Sequence, residues 1–380
     1  MFVGVSRFHT IIIDYNGGIW ASGGNSYGEL ALGDTTPRTL GEGIQGTFIG
    51  VAVSDYNTLL LDMDGNVWMV GKDCYGVDKG VDRNKLSKIE DLPSIVNMAT
   101  TSTHTLVLDI EGNVWSAGHN IDLCLGLPSF IVCEESIHSL EHSRLYEDKP
   151  RTNYYFQINQ IPSLPKITDI QVNKGYSLFL DECGYVWACG SNSSNVFGNK
   201  LPLKVYPPTK IPNIKNIKQI SAGETHALYL DYDGGVWASG KHYGIMFNEI
   251  DFHYFHNYFP YLPEIVNICA GKYCSFLIDE KGTVWIKGRN VRYQLGIGQS
   301  HNQPNFVAIP ALPPINHVEC QSRHTIFIGE DGSVWGCGDN YTYQLFRDDI
   351  NSTLGSPIRL PVAPPIYTSS CLSSIKSARK

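Results

Sequence analysis

The sequence predicts an all-β fold, a seven-bladed β-propeller with four-stranded antiparallel blades. One pattern, D-x-x-G-x-[VI]-W-x-x-G, occurs seven times with small variations and contains all seven tryptophans of the 380-residue chain. Consecutive tryptophans are 47 to 50 residues apart, except for one gap of 72 residues. A period near 48 with several short strands per unit is typical of propeller blades rather than helical solenoids. Seven units closed in a ring bury each sheet against two neighbours.

Each repeat reads as a series of short strands joined by tight turns, most clearly between Ile220 and Gly240. Ile220 to Ala222 and His226 to Leu230 are apolar runs, and Val236 opens a third strand. Between the second and third strands, an aspartate and a glycine form a hairpin turn in which glycine supplies a positive φ. We predict that the tryptophan of each repeat is a wedge between blades. The tryptophans are Trp20, Trp68, Trp115, Trp187, Trp237, Trp285 and Trp335.

The repeats predict one domain over residues 1–365, followed by a polar tail over 366–380 that either adds a closing strand or frays. The long gap between Trp115 and Trp187 predicts a surface insertion of about 120–157, since insertions in propellers map to loops. Within it, the apolar spacing between Glu134 and Glu147 suggests a short helix. The outer strand of the last blade is expected near Pro357–Val362.

Composition narrows the functional classes. Charged residues make up 17% of the chain and the net charge is −8, which argues against direct DNA binding through phosphates. No apolar run is long enough to span a membrane, and the first blade begins at residue 1, so no signal peptide is expected. The ten cysteines form no C-x-x-C pair, which favours a reducing, intracellular setting, cytoplasmic or nuclear. The abundance of Ile, Asn and Tyr is typical of AT-rich genomes, which some parasites and large DNA viruses have. If the protein comes from such a source, a host cell or a virion is also an expected location.

The repeat resembles that of the regulator of chromosome condensation family, whose blades carry A-G-x-x-H followed by D-G-x-V-[WY]-x-x-G and N-x-x-x-Q-L-G. The match is strongest at Ser221–Gly240 and Arg323–Gly338. The downstream element is present at Asn25–Gly33 and Asn290–Gly296, and in part at Asn340–Leu345. The resemblance covers nearly the whole chain and implies a seven-bladed propeller.

The loops before the recurring histidine position are the main candidates for a partner surface. Repetition places them on one face of the ring, around the channel, and their variable residues combine both charges with aromatic rings, as in protein-binding surfaces. The alternative is a set of ordinary solvated loops. The candidates are Arg7, Phe8, Asp55, Tyr56, Lys174, Glu224, Lys272, Tyr273 and Arg323.

The family resemblance implies two more specific alternatives. Some members are guanine-nucleotide exchange factors for the Ran GTPase and use an acidic residue in a G-D-S-H-T loop, which Asp55 matches within S-D-Y-N-T. Others bind chromatin through a basic N-terminal arm, which is not expected here. Plant UV-B photoreceptors of this fold carry tryptophans in these loops, whereas this chain has none there.

A second candidate surface is the aromatic segment over 242–261, which replaces the family's Q-L-G element after the fifth tryptophan. If the segment is extended, Phe255 and Phe259 share one side and form an exposed strip. His253 and His256 would then weaken binding below neutral pH. The alternative is that all the rings pack into the edge of the blade.

No metal, cofactor or catalytic site is expected. His9, His104, His226 and His324 occupy the same place in different repeats, and Asn57 replaces them in another, which is typical of a structural hydrogen-bonding position. The spacing of cysteines and histidines in the insertion matches no zinc pattern. The sequence therefore predicts a non-enzymatic, monomeric protein-interaction platform. The alternatives are an exchange factor for a Ran-like GTPase and a chromatin-binding protein.

Overall fold

The computed structural model describes residues 1–72, 84–128, 154–241, 253–254, 259–310, 312–349 and 352–362, with the side chains of 40–45, 154–157 and 253–254 excepted. This part of the chain contains 28 β-strands in seven four-stranded antiparallel sheets and no helix. It therefore contains no helix able to span a membrane. The predicted fold, a seven-bladed propeller, is confirmed.

The first two strands of every blade are apolar and form the inner part of the ring. The first strands line a central channel of about 240 Å³. They are β1 (Phe2–Val5), β5 (Phe48–Val53), β9 (Ile95–Thr100), β13 (Ile167–Asn173), β17 (Ile217–Ala222), β21 (Ile265–Ala270) and β25 (Ile315–Cys320). The second strands are β2 (His9–Ile13), β6 (Asn57–Asp62), β10 (His104–Asp109), β14 (Tyr176–Asp181), β18 (His226–Asp231), β22 (Cys274–Asp279) and β26 (His324–Gly329).

The third strands carry the tryptophans and pair with a variable outer strand. They are β3 (Gly18–Gly23), β7 (Val67–Gly71), β11 (Val114–His119), β15 (Val186–Ser191), β19 (Val236–Gly240), β23 (Val284–Gly288) and β27 (Val334–Asp339). The outer strands are β4 (Arg38–Gln45), β8 (Ser87–Lys88), β12 (Tyr154–Gln160), β16 (Lys204–Lys210), β20 (His253–Tyr254), β24 (Gln303–Ala308) and β28 (Thr353–Arg359).

The hairpin between the second and third strands is organised by its aspartate. In blade five, Asp231 Oδ1 accepts the N–H groups of Asp233 and Gly235, at 3.0 and 2.7 Å. Its other oxygen accepts the indole N–H of Trp237 at 3.0 Å. The indole–aspartate bond recurs in the first six blades. In blade seven, where glycine replaces the aspartate, the hydroxyl of Ser333 accepts the indole N–H instead.

Each interface between neighbouring blades contains one apolar cluster with one tryptophan packed against it. Trp237 of blade five packs on a cluster formed by blades four and five, and Trp20 of blade one packs on the cluster between blades seven and one. The remaining five tryptophans occupy equivalent places. The prediction of an inter-blade wedge is confirmed.

The histidine position is a latch between blades. Each of the four histidines is fully buried, and its Nε2 contacts a Ser or Thr hydroxyl of the next blade within 3.1 Å. The pairs are His9–Thr58, His104–Ser177, His226–Ser275 and His324–Thr10. In blade four, Tyr176 replaces the histidine and donates to the carbonyl of Gly223 at 2.5 Å, while Ala227 replaces the next hydroxyl. The predicted structural role is confirmed.

The boundary of one predicted strand needs correction, since the outer strand of blade seven spans Thr353–Arg359 and so begins before the predicted 357–362. Most of the predicted insertion of about 120–157 lies outside the described residues. At its described ends, Asn120 Oδ1 accepts the N–H of Leu125 as in an ordinary repeat loop, and β12 starts at Tyr154. The predicted helix at 134–147 and the tail at 366–380 lie outside the described residues. Blade one is complete within residues 2–45, so the ring closes by packing blade seven against blade one.

Candidate functional site

One side of the ring, which we call the loop face, carries two sets of loops. The first set joins the first and second strands of each blade, and the second set joins the third and fourth. In every blade, an N–H at the junction of the third strand and the second loop donates to a carbonyl of the first loop, at 2.7 to 3.0 Å. The donors and acceptors are Gly24 and Phe8, Lys72 and Tyr56, His119 and Thr103, Ser191 and Gly175, Lys241 and Thr225, Arg289 and Tyr273, and Asp339 and Arg323.

Blades one and two form an aromatic and cationic ladder on the loop face. The rings of Phe8 and Tyr56 stack with centroids 5.9 Å apart, and Tyr27 meets Tyr56 edge to face at 5.5 Å. The guanidinium of Arg7 lies 4.9 Å from the centroid of Phe8. The ammonium of Lys72 lies 5.1 Å from Tyr27 and 5.3 Å from Tyr56. Tyr56 keeps 37% of its surface exposed, so part of the ladder faces solvent.

Asp55 holds blades one and two together at the foot of this ladder. Its Oδ1 accepts the backbone N–H of Arg7 at 3.1 Å. This hydrogen bond positions Arg7 and Phe8 beside Tyr56, although Arg7 and Asp55 are 48 positions apart in the sequence. Asp55 therefore has a local structural contact at the position that the resemblance assigned to exchange.

Blades five and six form a second group on the same face. The ammonium of Lys272 lies 2.7 Å from a carboxylate oxygen of Glu224, and the hydroxyl of Tyr273 donates to the same carboxylate at 3.3 Å. Lys272 and Arg289 lie 5.3 and 5.5 Å from the ring centroid of Tyr273. Three of the predicted residues are thus brought together by a cation–aromatic contact and an ion pair.

Arg323 of blade seven lies between these groups. Its Nη1 is 3.4 Å from Oδ2 of Asp339, whose side chain is fully buried. Burial lowers the pKa of Arg323, and the charges of Arg7 and Arg292 lower it further, against the opposing effect of Asp339. Three guanidinium groups from blades six, seven and one therefore share one region of the loop face with the buried carboxylate of Asp339.

The other predicted residues do not join these groups. Lys174 is exposed on blade four and shows no contact with the other candidates. Phe255 lies outside the described residues. The prediction that Phe259 belongs to an exposed strip is wrong: its side chain is 6% exposed and meets Phe306 edge to face at 5.2 Å. Phe259 belongs to the apolar cluster between blades five and six, so its ring packs inside the propeller.

Sequence reasoning missed Tyr27, Lys72, Arg289 and Arg292, which all lie in the second set of loops. A usable signal was present, because Asn120–Gly126 and Asn192–Gly198 repeat the spacing of Asn290–Gly296. In each, the asparagine Oδ1 accepts the N–H five residues later, at 2.8 to 3.0 Å. Recognising this shared turn would have placed the second loops beside the first.

No described group of three or more His, Cys, Asp or Glu residues is arranged to hold a metal ion. Cys124 lies in the insertion whose cysteines and histidines were compared with zinc patterns. It is buried and donates its thiol proton to the carbonyl of His119 at 3.1 Å.

Lys287, in strand β23, is a buried cation, and burial lowers its pKa to about 7. Its ammonium lies 5.9 Å from the ring centroid of Phe259.

Comparisons with known proteins agree with this architecture. A family model described as the regulator of chromosome condensation (RCC1) repeat matches residues 184–230 and 281–328. Yeast RCC1 (Prp20), solved bound to Kap60, is 19% identical, with 95% of this chain and 92% of that chain covered and a TM-score of 0.72. Prp20p from Saccharomyces cerevisiae, solved in a study of its binding to Gsp1p and histones, is 20% identical, with 95% and 94% covered and a TM-score of 0.73.

Human WBSCR16 is 16% identical to this chain, with 92% of this chain and 95% of that chain covered and a TM-score of 0.73. At these identities the likeness to solved structures shows the fold. Two stretches of the chain, residues 184–230 and 281–328, match the regulator of chromosome condensation repeat, and the chain folds as a seven-bladed β-propeller.

Proposed function

We propose that this protein is an interaction platform that binds a protein partner through its loop face. The observation that carries the proposal is the ladder of Arg7, Phe8, Tyr56, Tyr27 and Lys72 on blades one and two. Stacked aromatic rings flanked by cations are the side chains that dominate binding energy at protein interfaces. The ladder is partly exposed and is held by backbone hydrogen bonds, so little ordering is needed when a partner binds.

The test is affinity capture from a lysate of the native cell with a ladder variant. Phe8→Ala combined with Tyr56→Ala removes the stacked pair, and loss of the captured partner is expected. Tyr232→Ala is a matched control, because Tyr232 is 62% exposed in a hairpin turn on the opposite face. Equal capture by the ladder variant and the wild type would exclude the ladder as the binding site.

The second candidate is nucleotide exchange on a Ran-like GTPase. Two observations favour it: the likeness to Prp20p, whose binding to Gsp1p has been studied, and the place of Asp55 in a loop of the proposed face. Release of a fluorescent guanine nucleotide from a Ran-like GTPase is the measurement. Acceleration by the wild type and its loss in Asp55→Ala would support exchange.

Asp55→Asn separates the two roles of this side chain, since it keeps an oxygen for the N–H of Arg7 and removes the charge. If exchange needs the carboxylate, Asp55→Asn fails like Asp55→Ala; if it needs only the loop geometry, Asp55→Asn retains activity. A wild-type protein that does not accelerate release from any Ran-like GTPase excludes this candidate.

Chromatin binding is the third candidate, favoured by the histone binding studied for Prp20p and disfavoured by the net charge of −8. A salt-dependent nucleosome shift assay tests it.

We propose a reducing intracellular setting for the protein, cytoplasmic or nuclear. The seven described cysteines are free thiols, which supports this proposal. We also propose a monomer, which size-exclusion chromatography with light scattering tests.

A further inference from the structure

The loop face carries an uneven distribution of charge. The loops of blades six, seven, one and two carry cationic side chains, and we call six of them the basic sector. Its members are Arg7, Lys72, Lys272, Arg289, Arg292 and Arg323. The whole chain has a net charge of −8, so this concentration of cations runs against the overall composition.

Three carboxylates beside the basic sector are already engaged. Glu224 pairs with Lys272, Asp339 pairs with Arg323, and Asp55 accepts the backbone N–H of Arg7. Within the described part of the chain, no carboxylate forms an ion pair with the side chains of Arg7, Arg289 or Arg292. Neighbouring positive charges repel each other, and the binding of an anion reduces this repulsion.

The loops hold the arginines in place. The backbone N–H of Arg292 donates to Oε1 of Gln294 at 2.9 Å, and Gln294 is buried. Arg7 is held by Asp55, and its guanidinium lies over Phe8. These contacts fix the positions from which the guanidinium groups extend.

Apolar side chains lie among the cations. Val291, next to Arg292, is 47% exposed, and Tyr341, at the equivalent place in blade seven, is 45% exposed. A ligand that satisfies both kinds of group must combine negative charge with apolar surface. Phosphate backbones offer the charge, but the other acidic residues of the chain would repel a long polyanion.

We infer that the basic sector binds a segment of a protein partner in which clustered aspartate or glutamate side chains alternate with apolar ones. This inference rests on the proposed binding role of the loop face and names the chemistry of the partner. Carboxylates pair with guanidinium groups in bidentate geometry, which gives orientation as well as charge neutralisation. The apolar side chains of the segment pack on Val291, Tyr341 and the ring of Phe8.

The experiment measures fluorescence anisotropy of a labelled peptide that alternates glutamate with leucine, against the same peptide with glutamine in place of glutamate. The glutamate peptide is expected to bind and to weaken as salt increases, since exposed charges are screened. Arg7→Glu combined with Arg292→Glu is expected to weaken binding roughly tenfold or more. Lys215→Glu combined with Lys281→Glu changes the net charge equally on the opposite face and is expected to have no effect.

Equal binding of the two peptides, or equal loss in both double variants, overturns the inference. A second outcome also overturns the inference. If duplex DNA binds more tightly than the glutamate peptide, and the Arg7 and Arg292 variant no longer binds that DNA, the basic sector is a nucleic-acid site instead. Capture of the native partner separates this inference from the platform itself. A partner lost with the Phe8 and Tyr56 variant but retained with the Arg7 and Arg292 variant leaves the platform standing and removes the acidic segment.

Discussion

His324 of blade seven and Thr10 of blade one are joined by a hydrogen bond of 2.7 Å between Nε2 and Oγ1. Thr10 Oγ1 donates its own proton to the carbonyl of Gln344 at 2.8 Å, so it accepts from the histidine. The neutral Nε2–H tautomer follows from this arrangement. The same logic applies to His9, whose partner Thr58 donates to the carbonyl of Glu29 at 2.7 Å. At the place where the ring closes, the latch of His324 and Thr10 thus connects β26, β2 and the second loop of blade seven.

Thr10→Val is expected to destabilise the ring closure. Valine preserves the shape of threonine but removes the hydroxyl, which leaves the buried His324 N–H and the Gln344 carbonyl without this partner. The expected loss is about 1–3 kcal/mol for orphaned buried groups. Denaturant unfolding measures it, with the exposed Thr36→Val as a control. A midpoint equal to that of the control would show that the latch does not contribute to stability.

Acid should destabilise the propeller through its buried histidines. Burial lowers the pKa of His9, His104 and His324 from 6.5 to about 3 and that of His226 to about 4. The unfolded chain therefore binds protons that the folded chain cannot, so stability is complete above the unfolded pKa and falls as the pH drops below it. Each such histidine should cost about 2 kcal/mol between pH 7 and pH 5.

The measurement is the free energy of unfolding as a function of pH for the wild type and for His324→Asn, since Asn57 occupies this position in blade two. The variant should be less stable at neutral pH and should have a shallower acid slope. His301→Asn, in an exposed loop, should leave the slope unchanged. A slope for His324→Asn that matches the wild type would contradict a buried, neutral His324.

Trp237→Ala should remove a wedge between blades four and five. Truncations of large aromatic core residues cost roughly 3–5 kcal/mol, and the partial exposure of Trp237 favours the lower part of this range. Trp237→Phe keeps most of the packing and loses the bond to Asp231, so it should cost about 1–3 kcal/mol. Thermal unfolding measures both, and an unchanged melting temperature in Trp237→Ala would rule out the wedge.

Glu29→Gln is expected to stabilise the protein at neutral pH. Glu29 is buried, and burial raises its pKa despite backbone N–H donors such as that of Tyr27, which lies 2.7 Å from Oε2. A raised folded pKa means that stability is lost as the pH rises through it, so the charged form is the unfavourable one. Gln294 and Gln344 make the equivalent bond without charge. The melting temperature should increase at pH 7 and change less in acid, and a decrease at pH 7 would contradict this reading.

The sequence predicted the repeating elements well because their causes are local. The turn between second and third strands depends on an aspartate that accepts N–H groups two and four residues later and on a glycine with positive φ, such as Gly234 at 80°. The boundaries of the outer strands were less predictable. Among the described residues, β8 and β20 have two residues each and β4 has eight, so the lengths of the outer strands do not follow the repeat.

The sequence by itself determined the seven-bladed ring, the tryptophan wedges and the structural nature of the histidine position, since each depends on residues that recur at a fixed spacing. Only the tertiary structure decided which side chains meet across blades. Arg7 contacts Asp55 and Lys72 contacts Tyr27, because the ring places the first loops of neighbouring blades side by side and does the same for the second loops. The burial of Phe259 was also decided there, since its ring packs edge to face against Phe306. Contacts between repeats depend on loop path and side-chain direction, which the repeating pattern does not encode.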